Sequence, residues 1–158
     1  MLILAVTASP QAFAKSKYPP IVQETISSLA FSCNGFGSFV QSSNFIRRVD
    51  LNNDGFRDYI LDTGEIRCTQ AASIFTGNSG GSILIFVKLQ NGTVEKVFDE
   101  FKEEVFLNGK QISLGVRGDQ CGIDTSNMSR AEDSGCLRQV DWNPVKKIME
   151  FGKILKVY

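Results

Sequence analysis

The chain has 158 residues, with 17 Lys or Arg balanced by 17 Asp or Glu and no histidine, a size that suits one hydrophobic core. Zero net charge without a dense basic run argues against a nucleic-acid partner, whose phosphates require clustered cations. With no histidine and no Cys-x-x-Cys pair, zinc of the finger or metalloprotease type is not expected.

Leu2, Ile3, Leu4, Ala5 and Val6 form a short apolar run, and Ala12-Phe13-Ala14 follows with the small-residue pattern of a signal-peptidase site. Residues 1–14 are expected to be an export leader, weak or continued upstream because no Lys or Arg precedes the run. Residues 15–158 are expected to form a single β-rich domain. No stretch approaches the about eighteen apolar residues of a spanning helix, so no transmembrane anchor is expected. Cys33, Cys68, Cys121 and Cys136 fit two disulfides in an oxidising compartment, periplasmic or extracellular. Three pairings are open to the sequence, and Cys33–Cys68 with Cys121–Cys136 is the one favoured.

Pro19-Pro20 ahead of Ile21, Ile26, Leu29 and Ala30 predicts one short helix, with proline suited to its first turn and Gly35 to its end. Strands are expected at 45–50, 58–62, 82–89, 93–99, 103–107, 111–116, 137–142 and 153–158, many of them rich in Val, Ile, Phe or Tyr between turn residues. Asn91-Gly92 and Asn108-Gly109 predict hairpins with type I′ turns, in which both central residues take positive φ. No internal repeat is present, which excludes a propeller of repeated blades. Residues 119–135, rich in Gly, Asp and Ser, read as a surface loop held at its base by Cys121 and Cys136. The expected fold class is mainly β (α+β), with one N-terminal helix packed on an antiparallel sheet or meander and two disulfides.

The chemistry concentrates in Asp50-Leu51-Asn52-Asn53-Asp54-Gly55-Phe56-Arg57-Asp58. Oxygen-bearing side chains occupy loop positions 1, 3, 5 and 9, and glycine occupies position 6. That spacing lets a tight loop aim Asp50, Asn52 and Asp54 inward, add the Phe56 carbonyl, and use Asp58 directly or through water as hard-oxygen ligands for calcium. Leu61 stands where an EF-hand carries its bidentate Glu, so the loop is incomplete as an EF-hand. Its strand-like flanks resemble the calcium loops of FG-GAP-type repeats, and the missing carboxylate implies weak, structural binding at about 0.1 to 1 mM. The competing reading is that these residues only form side-chain-to-backbone turns, which need no metal.

Three other motifs carry less. Gly77-Asn78-Ser79-Gly80-Gly81 looks like a serine-protease nucleophile segment, but the chain has no histidine to act as base. Arg117-Gly118-Asp119 matches an integrin-binding tripeptide, a pattern short enough to arise by chance. Glu100, Glu103, Glu104, Asp124 and Asp133 supply carboxylates for glycosidase-like chemistry only if the fold pairs them.

In order along the chain, Cys33, the 50–58 loop, Cys68, and Cys121 and Cys136 ahead of Trp142 resemble small exported proteins of Gram-negative, chiefly alphaproteobacterial, bacteria, a group without a characterised function. Where such proteins tend to carry a Cys-Gly-x-Gly-Gly-Cys turn, this chain has Thr76-Gly77-Asn78-Ser79-Gly80-Gly81-Ser82. The joint absence of both thiols implies that they were partners, which leaves Cys33 to pair with Cys68. The expected function is that of an exported, calcium-binding, non-enzymatic envelope or secreted module that meets an unknown protein or envelope component. Two alternatives are an inhibitor or host-interaction protein presenting residues 119–135 and a carboxylate-dependent envelope hydrolase.

Overall fold

A computed structural model describes residues 16–77, 80–129 and 134–158. The expected leader, Ser79 and Asp133 lie outside the described residues.

Helix α1 (Pro20–Phe31) starts on Pro20 at its first position and has no side-chain N-cap, no acidic residue in its first turn and no basic residue in its last. Thr25 and Ser27 turn their hydroxyls back onto the carbonyls of Ile21 and Gln23. Such a helix draws its stability from tertiary packing rather than local propensity. Val22 is fully buried, and Tyr18, Ile21, Ile26 and Leu29 pack around it against Phe45, Tyr59, Leu61, Leu84 and Phe86.

Those partners belong to one face of a four-stranded antiparallel sheet in the order β2 (Ile46–Val49), β3 (Asp58–Asp62), β5 (Gly81–Lys88), β6 (Val94–Lys102). The opposite face packs on a second antiparallel sheet, in the order β7 (Glu104–Asn108), β8 (Gln111–Val116), β9 (Cys136–Asn143), β10 (Ile148–Val157). The layers therefore run helix, sheet, sheet. The uninterrupted run Ile83-Leu84-Ile85-Phe86-Val87 in β5 follows from this, since a strand covered on both faces has no polar side. Ile83, Ile85 and Val87 meet Ile112, Leu114, Val116 and Val140 between the sheets, whereas Leu84 and Phe86 meet the helix layer. Each of these side chains that is fully buried contributes about 1.5 to 3 kcal/mol of transfer free energy.

The chain changes sheets at Glu103, whose N–H donates to the Gly115 carbonyl at 2.8 Å. Gly80 makes the corner possible: at φ +126° it lies so close to the β6 end that a Cβ would sit 2.1 Å from the Lys102 carbonyl oxygen. A short two-stranded sheet joins β1 (Phe39–Gln41) to β4 (Ile66–Cys68), an element too brief for its sequence to announce. Strand β10 begins at Ile148, five residues ahead of the expected start.

Both hairpin turns differ from expectation. Asn108 pairs with Gln111, so Gly109 and Lys110 are the central residues, and of the two only Gly109 takes positive φ, as a type II′ turn requires. At the other hairpin the Gly92 N–H donates to the Leu89 carbonyl and only Gly92 is left-handed, the three-residue loop with a glycine bulge. In each case one Gly supplies the handedness, and Asn keeps ordinary φ.

Cys33 pairs with Cys68 and Cys121 with Cys136, at Cα separations of 5.4 and 6.0 Å. The first ties the helix end to β4, and the second closes the loop between β8 and β9. In the chain-entropy model they contribute about 3 to 4 kcal/mol each. They fit an exported protein folded in an oxidising compartment. Among the described residues, no helix is long and apolar enough to cross a membrane.

Candidate functional site in the 50–58 loop

The loop closes the β2–β3 hairpin directly above the paired residues Val49 and Asp58. Its turn is made by two left-handed residues, Asn53 at φ 59° and Gly55 at φ 89°. Leu51 is buried with Ile60, Val87 and Ile112 in the core between the sheets. One apolar anchor thus fixes the loop, and the polar residues around it are left to face one another.

Asp50 Oδ1 and Asn52 Oδ1 each accept from the Asp54 N–H at 3.1 Å. Asp50 Oδ2 accepts from the Gly55 N–H, Asp54 Oδ1 accepts from the Phe56 N–H at 2.9 Å, and Asn52 Nδ2 donates to Asp54 Oδ2 at 2.9 Å. A cation from elsewhere in the fold completes the arrangement. Lys110, at the tip of the β7–β8 hairpin, places Nζ 2.6 Å from Asp50 Oδ2 and 3.0 Å from Asn53 Oδ1. This hydrogen bond, more than any other influence, holds the Asp50 carboxyl below its ordinary range. No spacing rule nominates Lys110, because the contact is purely tertiary.

Asp58 sits apart from that group. It is fully buried, with Oδ2 accepting from the Leu51 N–H at 2.8 Å and Oδ1 from the Lys88 N–H at 2.9 Å. Burial raises its pKa, the two backbone N–H groups oppose the rise, and the charges of Asp54 and Asp50 add to it. Asp58 is therefore a clamp between the loop and β5. Among the described residues no three or more His, Cys, Asp or Glu side chains are grouped as a metal ion would need. The side-chain oxygens of Asp50, Asn52 and Asp54 are engaged within the loop itself, by the N–H groups of Asp54, Gly55 and Phe56 and by Asn52 Nδ2.

Beside the loop, Leu51, Asn53, Lys110, Gln111, Val140, Asp141 and Trp142 line an open cleft of about 340 Å³. Trp142 is the only tryptophan of the chain. Of the other carboxylates, Glu103 and Glu104 line a separate cleft of about 500 Å³ with Gly115, Gly135 and Tyr158. Glu100 accepts from Gln120 at 3.5 Å, and Asp124 caps the Ser126 N–H at 3.0 Å.

A second charged cluster lies at the far end of β3. Asp62 is 1 % exposed and accepts from Lys102 Nζ at 2.8 Å and the Gly64 N–H at 2.9 Å through Oδ1, and from Arg47 Nη2 at 3.3 Å through Oδ2. By strand alternation Asp58, Ile60 and Asp62 share a face, so a carboxylate stands at each end of the buried strand. Comparison with known proteins finds no matching family model, no matching curated protein and no matching solved structure.

Proposed function

We propose that the protein is an exported, disulfide-bonded β-module of the envelope or extracellular space, of the small Gram-negative type it resembles, whose 50–58 loop takes up calcium as a structural tie. The observation that carries this reading is the convergence of Asp50 Oδ1 and Asn52 Oδ1 on one amide, at 3.1 Å each, with a protein cation already drawn to the same carboxylate at 2.6 Å. Two carboxylates, one amide oxygen and one carbonyl fall short of the six to eight oxygens that calcium takes, so water would supply the rest and affinity would be weak, with Kd about 0.1 to 1 mM. Lys110 would compete with the ion, and Asp58 would hold the loop rather than ligate.

Calorimetric titration with calcium, followed in parallel by Trp142 fluorescence, tests this. Saturable binding in that range, lost in Asp50→Ala, supports it; heats no larger than dilution together with unchanged fluorescence remove it. At about 2 mM calcium the expected gain in stability is about 0.6 to 1.8 kcal/mol by mass action.

A second reading rests on the Cys121–Cys136 pair, which fixes the base of the 119–135 loop and suits it to presentation to a protein partner. Pull-down from envelope extract with the loop intact and shortened separates this role from the first.

A further inference from the structure

The chain contains three Asn-Gly pairs, at 34–35, 91–92 and 108–109, and all six residues are exposed. Glycine leaves the amide nitrogen after each asparagine sterically open, so exposure does not separate the three sites and hydrogen bonding does. We infer that Asn34 is the principal site of spontaneous succinimide formation in this protein and that Asn91 is locked against it.

In this reaction the Gly35 nitrogen gives its proton to solvent base and attacks Cγ of Asn34. The Cγ–Nδ2 bond breaks and ammonia leaves. Water then opens the five-membered imide at one carbonyl or the other, giving aspartate or an isoaspartyl linkage. Water is the sole co-reactant.

At Asn34 the turn is held by the Phe36 N–H donating to the Cys33 carbonyl at 2.8 Å, with Gly35 at φ 84°, a type II arrangement that turns the Gly35 N–H outward. Among the described residues that N–H meets no acceptor, and the Asn34 side chain makes no hydrogen bond. At Asn91 every participant is engaged. Its Oδ1 accepts from the Thr93 N–H at 3.0 Å and from the Thr93 hydroxyl at 2.7 Å, and the Gly92 N–H donates to the Leu89 carbonyl at 2.8 Å. Asn108 is intermediate, because cyclisation would pull it out of its ladder pair with Gln111. Conversion of Asn34 places a new carboxylate just beyond the C-terminal end of α1, where the helix dipole disfavours it, beside the cysteine that anchors the helix to β4.

The test is peptide mapping by mass spectrometry of the full chain, disulfides intact, during incubation in warm, mildly alkaline buffer. Asn34 is expected to convert first and Asn91 about tenfold or more slowly, since each hydrogen bond that must open slows the reaction severalfold. Thr93→Val should speed Asn91 and leave Asn34 unchanged, and in denaturant the rates at the two sites should converge. Conversion at Asn91 as fast as at Asn34 in the folded chain, or a gap between the two sites that is as wide in denaturant as in the folded chain, overturns the inference.

Discussion

Lys110 Nζ lies 2.6 Å from Asp50 Oδ2, so the hairpin tip of one sheet supplies the counter-charge for a loop of the other. The pair is part-exposed, with 55 % of the lysine side chain and 13 % of the aspartate accessible. Its worth in stability is therefore about 1 kcal/mol or less and falls with salt. The Asp50 carboxyl is depressed in the folded state, so its contribution is present above the unfolded pKa and is lost as pH falls through the folded one. Urea unfolding of Lys110→Met at low and high salt checks this: the deficit relative to wild type should shrink in high salt and vanish in acid.

Asp58 has the opposite sign. Its pKa is raised by burial, so the native state holds the proton more tightly than the unfolded chain, and stability falls as pH rises through the window between the two values. Asp58→Asn should flatten that slope while losing one of two accepted backbone bonds. Asp58→Ala strands both the Leu51 and Lys88 N–H groups and should cost about 2 to 4 kcal/mol. Denaturant midpoints across the acid range separate the two effects.

At the other end of β3, Asp62 is bonded to both Arg47 and Lys102, and among the described residues it is the carboxylate that pairs with either of them. Asp62→Ala leaves two cations without it and should cost about 3 to 5 kcal/mol. Lys102→Met should cost clearly less, because Asp62 keeps Arg47 and the Gly64 N–H. Equal losses in the two variants, measured by equilibrium unfolding, would contradict this asymmetry.

Lys147, in the β9–β10 turn, holds φ 56° where a side chain is strained by about 1 kcal/mol. Lys147→Gly should raise stability by about 0.5 kcal/mol or less, read as a slightly higher thermal midpoint, because the relief of left-handed strain is largely offset by the added unfolded-state entropy.

Much of the framework was legible because the strongest signals are local. The five-residue apolar run of β5 marks a strand covered on both faces, and proline followed by spaced apolar residues marks α1. What escaped was tertiary or too short. The three-residue strands β1 and β4 carry no period. Both hairpins follow their Asn-Gly signals, yet the turn types depend on which residues the ladder pairs. In the loop, the spacing singles out Asp50, Asn52 and Asp54, and the structure links them by hydrogen bonds within the loop. It cannot show that Asp58 reaches an amide thirty residues ahead, or that Lys110 arrives from the other sheet.

The most direct test of the calcium-tie proposal is thermal unfolding of wild type and Lys110→Met, each in millimolar calcium and in chelator. The proposal predicts a rise of about 2 to 6 °C for wild type in calcium and a larger one for Lys110→Met, whose loop has lost its competing cation. Midpoints of both chains that are indifferent to calcium, or a Lys110→Met response no larger than that of wild type, would contradict it.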